Sequence, residues 1–313
     1  MTASNLKNLY DQKLAPQLQS VENDRLYIKR RVITTLVIVL LLLFGVATIP
    51  NQIAMWIVIV LLLIALLWTA GTSIVKYFTY RHEFKEKVVK EVVKFINPEY
   101  KYDAYQHISV EDFNLSNIFK NALMCRGDDF ITGSIDKTQF SYSEITAGSV
   151  PNNNQNTKIK SVFRGLFFYA DFHKELTGET YVLPDTAEKL LGKIGQKFQL
   201  ANKKGELVKL ENVEFEKQFV VYSSSQTEAR YVLTPVMMEA ITKIRNKYKL
   251  KLHFSFIGSR VNCAIKFDKN LFEPRVMSSG VSFTDIEYMH ELTGLIETII
   301  KDMNLNIRIW TKE

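Results

Sequence analysis

The sequence has little of what most enzymes and metal proteins require. Its only cysteines, Cys125 and Cys263, are far apart and have no His or Cys neighbours at a ligand spacing, so they are expected to be ordinary reduced thiols. It contains no glycine-rich phosphate loop, no Ser elbow and no Cys-x-x-Cys pair. We therefore predict no catalytic, cofactor-binding or metal-binding residue.

Charge is absent from two long apolar runs, Val32–Ile49 and Ile53–Val75, which are separated only by Pro50, Asn51 and Gln52. At the rise of an α-helix the first run spans about 27 Å, close to the hydrocarbon thickness of a bilayer. The pattern predicts a transmembrane helical hairpin. Since ion paths and proton relays usually need charged side chains within the membrane, it argues against a transporter or channel.

Nearly all of the net charge of +7 flanks these two runs. Lys29, Arg30 and Arg31 precede the first, and Lys76 and Arg81 follow the second, whereas the connecting turn is uncharged. Basic flanks stay on the cytoplasmic side, so we expect a two-pass protein of the inner (plasma) membrane with both termini in the cytoplasm. The basic charge indicates the lipid bilayer as a partner rather than nucleic acid.

The first run is expected to remain as an anchor, because it leads into a second span and not into a cleavage site. We predict an N-terminal cytoplasmic helix over 1–31, the hairpin over 32–75, a juxtamembrane helix over 76–101 and a cytoplasmic α+β domain over 102–313. Pro16 suits the first turn of a helix. An apolar stripe predicts that the juxtamembrane helix packs on the N-terminal helix as a stalk. Its members are Phe84, Val88, Val92, Phe95 and Ile96.

The fold class predicted for the cytoplasmic part is α+β, with a mainly antiparallel sheet and several packed helices, because period-two runs alternate with helical patterns. Ser109 with Asp112 forms a capping box, and Thr234 with Pro235 opens another helix. Further helices are predicted over Pro184–Ile194 and Asp285–Met303, and an exposed loop over Ala147–Thr157. The predicted strands are Asp129–Ile135, Lys137–Ile145, Lys158–Phe172, Thr180–Leu183, a strand from Glu206, Lys217–Tyr222, Glu228–Leu233, a hairpin over Leu250–Phe267 and Asn306–Trp310.

The segment 163–172 is the most aromatic part of the chain. Its Phe and Tyr residues are expected to occupy the central sheet. They either all belong to the core or partly line a groove.

Four polar residues are the candidates for a functional site. Asp171 and His173 would share one face of a strand, as an acid/base or metal pair needs, and the same holds for Glu228 and Arg230. The alternative for the first pair is chance spacing of polar residues at a strand end. For the second it is a structural ion-pair network with Glu214 and Glu216, which are predicted to lie in an adjacent strand. The basic run from Lys243 to Lys251 is predicted to be a solvated helix end, with a phosphate or lipid-headgroup contact as the alternative.

From Ser109 to Lys312 the sequence resembles a bacterial family of two-span membrane proteins known as a domain of unknown function. The motifs that carry the resemblance are Gly127-Asp128-Asp129 with Gly133, Phe163-Arg164-Gly165-Leu166-Phe167-Phe168, Glu214-Phe215-Glu216-Lys217, Val220-Val221-Tyr222, Glu228-Ala229-Arg230-Tyr231, Leu233-Thr234-Pro235, Phe272-Glu273-Pro274 and Ile309-Trp310-Thr311-Lys312. The family often has an Asp where this chain has Ser225, a departure that weakens any metal site there.

The resemblance implies a membrane anchor with a cytoplasmic α+β domain and no established activity. It also implies a LemA-type membrane protein as a candidate partner, because such proteins are often encoded beside family members. Our first hypothesis is a non-enzymatic interaction or scaffold module that binds another protein or forms a homo-oligomer at the inner membrane face. The alternative is a membrane-surface ligand sensor or hydrolase that uses Asp171, His173, Glu228 and Arg230.

Overall fold

The computed structural model describes residues 3–119, 121–136, 138–149, 159–171, 175–185, 205–267, 272–277 and 282–310. They form two compact units, which we describe separately. The helical unit contains the described residues of 1–95 and 272–290, and the sheet unit contains those of 96–271 and 291–310.

The helical unit contains the predicted hairpin. Its elements are α1 (Ala3–Leu9), a π-helical turn (Tyr10–Leu14), α2 (Ala15–Thr48), α3 (Gln52–Phe84), a second π-helical turn (Lys85–Val89) and α4 (Lys90–Ile96). Pro16 lies in the first turn of α2, as predicted. The Asn51 side chain accepts the N–H groups of Ile53 at 3.0 Å and Ala54 at 3.1 Å and so caps α3. Both helices continue well beyond the apolar runs.

The apolar surfaces of these helices face outward. α2 and α3 are long and apolar enough to cross a membrane, and none of the most apolar stretch of α2 and 6% of that of α3 is buried within the structure. Leu43 and Leu67 are among the side chains left exposed. The core helix of a soluble protein would bury such residues, so this surface is suited to lipid.

The predicted apolar stripe of the stalk is buried at Phe84, Val88 and Val92. Lys13 Nζ lies 2.5 Å from Glu91 Oε2, which joins the N-terminal helical segment to α4. The interpretation as a stalk packed on the N-terminal helix agrees with this arrangement.

In the sheet unit, the strands among the described residues form one nine-stranded sheet in the order β1-β2-β3-β4-β9-β8-β5-β7-β6, and every pairing is antiparallel. The strands are β1 (Lys101–Asp103), β2 (Met124–Ile135), β3 (Thr138–Ser149), β4 (Lys160–Asp171), β5 (Thr180–Pro184), β6 (Glu206–Val208), β7 (Phe219–Ser223), β8 (Lys251–Ile257) and β9 (Arg260–Lys266). The helices are α5 (Val110–Leu115), α6 (Val213–Glu216), α7 (Gln226–Val232), α8 (Pro235–Tyr248) and the part of α9 (Phe283–Trp310) that follows His290. The α+β prediction is confirmed.

The aromatic segment forms β4, at the centre of the core. Phe163 and Phe167 pack with Phe113 of α5 on one face of the sheet. Phe168 points to the other face, where it is opposite Cys263 of β9 and almost fully buried. Both faces of β4 are therefore covered, which explains its nearly continuous apolar sequence.

Two predicted strands are helical. Glu228–Leu233 lies largely in α7, because the side chain of Ser225 accepts the Glu228 N–H at 3.3 Å and so starts a helix. Asn306–Trp310 is the last part of α9, which continues past the predicted end at Met303. Alternation over five or six residues does not separate a strand from one face of a helix.

Two boundaries also differ from the predictions. β3 continues to Ser149 and buries Ala147, which was assigned to an exposed loop, and residues 150–158 lie outside the described part. Pro184 ends β5 instead of starting a helix, and 186–194 lie outside the described residues.

The capping predictions are confirmed, since Ser109 caps α5 and Thr234 caps α8 through their side-chain oxygens.

Candidate functional site

Glu228 holds a loop in place. Its Oε1 accepts the Thr177 N–H at 3.1 Å and the Thr177 hydroxyl at 2.7 Å, and its Oε2 accepts the Gly178 N–H at 2.6 Å. These charge-assisted bonds fix the turn that enters β5. The carboxylate is thus used for structure, which agrees with the structural interpretation of this residue.

Arg230 lies on α7 two residues after Glu228, so the two side chains do not share a face as they would on a strand. The guanidinium Nη2 donates to the Lys209 carbonyl at 3.2 Å, and Gln226 Nε2 donates to the Leu207 carbonyl at 3.1 Å. Leu207 belongs to β6, the edge strand, and Lys209 directly follows this strand. α7 therefore covers this edge and protects it from pairing with another strand.

A groove of about 420 Å³ lies beside this covered edge, and we call it the edge groove. Leu233 and Met238 are buried and form an apolar floor, while Arg230 stands exposed at the rim. The full lining consists of Leu210, Glu211, Asn212, Arg230, Leu233, Pro235 and Met238. An apolar pocket with a few polar groups at its rim is the usual form of a binding site.

The wall formed by residues 209–212 is held in position by several hydrogen bonds. Glu216 Oε1 accepts the Leu210 N–H at 2.8 Å, and the side chain of Asn212 caps α6 by accepting the Phe215 N–H at 3.0 Å. Together with the bond from Arg230 to the Lys209 carbonyl, these contacts hold the wall of the groove in place when no ligand is bound. Glu214 and Glu216 were predicted to lie in a strand, which is wrong, because both belong to the short helix α6.

Asp171 lies at the exposed end of β4, where it pairs in register with Arg260 of β9 and lines a polar cleft of about 390 Å³. Arg260 lies 3.5 Å from the centre of the Tyr169 ring and donates to Asp112 Oδ1 at 3.1 Å. His173 lies outside the described residues. Strands β9 and β8 separate β4 from β5, so about 14 Å of sheet lies between Asp171 and the loop that Glu228 holds. The three described candidates, Asp171, Glu228 and Arg230, therefore do not converge on one site.

Burial affects the two cysteines, and two residues of the basic run contact other side chains. Burial raises the pKa of Cys125 to about 11 and raises that of Cys263 well above its usual value, so both thiols are weak nucleophiles at neutral pH. Within the basic run, burial lowers the pKa of Arg245, which donates to Gln218 Oε1 at 2.9 Å. Lys247 pairs with Glu291 at 2.9 Å.

Comparison with known proteins finds a family that the C-terminal part of this chain resembles. Residues 161–305 match DUF3137, a protein family of unknown function. This match confirms, over those residues, the resemblance identified from the sequence. No curated protein sequence matches the chain. One solved structure, the crystal structure of the mycobacterial trehalose monomycolate transport factor A, TtfA, is similar to 66% of this chain over 94% of its own length, with 7% identity and a TM-score of 0.30. A likeness this low supports no inference about function.

The DUF3137 match includes every residue of the edge groove. The sequence motifs Glu228-Ala229-Arg230-Tyr231 and Leu233-Thr234-Pro235 supply three of its lining residues. Sequence reasoning missed Gln226, Leu210 and Met238. Interpreting the Glu-Ala-Arg-Tyr motif as a helix would have placed Gln226 and Arg230 one turn apart on the same face.

Proposed function

We propose that this chain is a non-enzymatic interaction module anchored in the bacterial inner membrane, and that its edge groove binds an extended segment of a partner protein. The observation that carries the proposal is the preformed groove, with its apolar floor at Leu233 and Met238 and the Arg230 guanidinium at its rim. Two of the five N–H groups of Arg230 donate to backbone carbonyls. The others are suited to a carboxylate.

The partner segment therefore carries an apolar side chain that enters the groove and a neighbouring carboxylate that meets Arg230. A LemA-type membrane protein and a second copy of this chain are the first partners to test. A preformed groove lowers the entropic penalty of binding, because the protein side is ordered before the partner arrives.

The absence of enzymatic activity is part of the proposal. Its support is that Glu228 is engaged by three donors from Thr177 and Gly178, while about 14 Å of sheet separates that loop from Asp171. Turnover of a nucleotide or lipid by the purified full-length protein would contradict it.

The anchor and its orientation are supported by the exposed apolar surfaces of α2 and α3 and by the basic residues that flank them. In this proposal both termini lie in the cytoplasm and the turn at Asn51 faces the periplasm. Alkaline phosphatase should be active when inserted at Asn51 and inactive when fused to the C-terminus. The reverse pattern would exclude the proposed orientation.

Binding is tested by purifying the tagged full-length protein in mild detergent and measuring the intact mass of the assembly, alone and with the LemA-type protein. Arg230→Glu should remove the partner, because it places a carboxylate opposite the partner's own. Gln226→Ala is the matched control, since it also removes one bond to the β6 edge but changes no lining residue of the groove. Equal recovery with both variants, or a monomer from the unaltered protein, would reject the groove as the binding site.

A further inference from the structure

A second large groove lies within the helical unit, far along the chain from the edge groove. It is an open groove of about 860 Å³ between the polar end of α2 and the second half of α3. Asp24 and Tyr27 line it from α2, and Trp68, Gly71, Val75 and Lys76 line it from α3. We call it the hairpin groove.

The hairpin groove is amphipathic along its length. Trp68, Gly71 and Val75 follow one face of α3 over two turns, and this face belongs to the apolar run. A Cβ added at Gly71 would meet no atom within 4 Å, so the groove is open above this residue. This end has the shape and polarity for a hydrocarbon chain that lies along the helix.

The other end of the groove carries one charge of each sign. Lys76 Nζ lies 2.8 Å from Asp24 Oδ1, and the two side chains keep 36% and 20% of their surfaces exposed. Because the pair has no net charge, it has no general preference for an anionic ligand. It is complementary to a zwitterion, whose anionic group meets Lys76 and whose ammonium donates to Asp24.

Two exposed aromatic rings indicate that the groove lies near the boundary between the hydrocarbon and the headgroups of the membrane. Trp68 is 68% exposed and Tyr27 is 40% exposed, and such rings favour the boundary between hydrocarbon and headgroups. Arg31 Nε donates to the Tyr27 hydroxyl at 3.2 Å, and the guanidinium lies 5.3 Å from the centre of the ring. These contacts hold Tyr27 at the side of the groove.

From this combination we propose that the hairpin groove is a specific site for one zwitterionic aminophospholipid, with an acyl chain over Gly71 and the phosphoethanolamine headgroup on the Lys76–Asp24 pair. A helix of another protein fits less well. Close packing of two helices in a membrane needs small residues on several successive turns, and here the projecting Trp68 stands one turn from Gly71. Such a helix would also cover the ion pair without supplying charges to it.

The proposal is tested with the full-length protein in mild detergent, by counting bound lipids by native mass spectrometry. Phosphatidylethanolamine, phosphatidylcholine and phosphatidylglycerol with the same acyl chains compete for the site. One phosphatidylethanolamine should be retained, with a preference of about tenfold over phosphatidylcholine, because a quaternary amine has no N–H to donate to Asp24. Equal retention of the three lipids would overturn the proposal.

Two variants locate the site. Gly71→Leu fills the groove and should abolish selective retention, whereas Ala54→Leu, which adds similar bulk at an exposed position of α3 outside the groove, should leave it unchanged. Asp24→Asn is nearly isosteric and should remove the preference over phosphatidylcholine even if Gly71→Leu impairs folding. Unchanged selectivity in Asp24→Asn would overturn the proposal, and so would a protein dimer that Gly71→Leu dissociates.

Discussion

The ammonium of Lys85 is fully buried and lies 3.3 Å from Glu273 Oε1. Glu273 also accepts the Arg81 Nε–H at 2.6 Å, so one carboxylate serves two basic residues of the stalk. Its neighbour Phe272 is buried as well. The motif Phe272-Glu273-Pro274 thus attaches the segment before α9 to the base of the hairpin.

Replacing Glu273 with Gln should strongly destabilise the helical unit. The change removes the negative charge that lies 3.3 Å from the buried Lys85 ammonium, and breaking a buried ion pair costs about 3–5 kcal/mol. Glu83→Gln is the control, because Glu83 pairs with Lys87 at the surface and such pairs contribute only about 0–1 kcal/mol. Thermal unfolding in detergent measures both. Similar melting temperatures for the two variants would show that Glu273 does not stabilise the buried lysine.

Gly165→Ala should disrupt the sheet unit. Gly165 has a φ of +149°, and a Cβ at this position would lie 2.0 Å from the Ile265 carbonyl oxygen of β9. This oxygen belongs to the backbone of β9, which cannot move aside without breaking its pairing with β4. Gly258→Ala is the milder control, since Gly258 has a φ of +59° with open space around it, and it should cost about 1 kcal/mol. Circular dichroism melts of the full-length variants should rank them in this order, and the opposite order would contradict the assigned register.

The sheet unit should lose stability at high pH. Burial raises the pKa values of Tyr100, Tyr142 and Tyr181 well above their usual value, with a smaller contribution for Tyr100 and Tyr181 from hydrogen bonds to Glu297 and Glu179. A raised pKa keeps the phenol neutral in the folded state. The resulting stability is fully present below about pH 10, where unfolded tyrosine begins to ionise, and is lost as the pH rises towards the folded-state values.

Tyrosinate absorbance measured during an alkaline titration tests this expectation. A fraction of the tyrosines should ionise only together with unfolding, and Tyr142→Phe should lower the amplitude of that phase. Tyr142 is chosen because it is fully buried against α9, where its hydroxyl lies 2.9 Å from Thr293 Oγ1. Titration of all tyrosines near pH 10 without unfolding would contradict the burial.

Sequence patterns predicted the parts of the fold that depend on local signals. Long uncharged runs identified the hairpin, and the side chains of Ser109 and Thr234 marked two helix starts. The strand prediction for Glu228–Leu233 failed because Tyr231, Val232 and Leu233 suit a strand. In the structure Ser225 starts a helix, and Gln226 and Arg230 bond to carbonyls in and directly after β6. Tertiary contacts decided between the two patterns.

The candidate site was harder to predict than the fold. Arg230 was identified, but the floor of its groove comes from Leu233 and Met238, which look like ordinary core residues in a sequence. The role of Glu273 could not be predicted from the sequence, because its partner Arg81 lies 192 positions away along the chain. A single sequence does not report contacts of that range.

In the proposed function, the edge groove binds a protein segment at the membrane. The most direct test places a photo-crosslinking amino acid at Glu211, an exposed residue of the groove wall, in the full-length protein in living cells. Glu111, exposed on α5 of the same unit, carries the crosslinker in the control. We predict one discrete adduct, with the LemA-type protein or a second copy, from Glu211 alone, and its loss in the Arg230→Glu background. Adducts from both positions, or none from Glu211, would contradict the account.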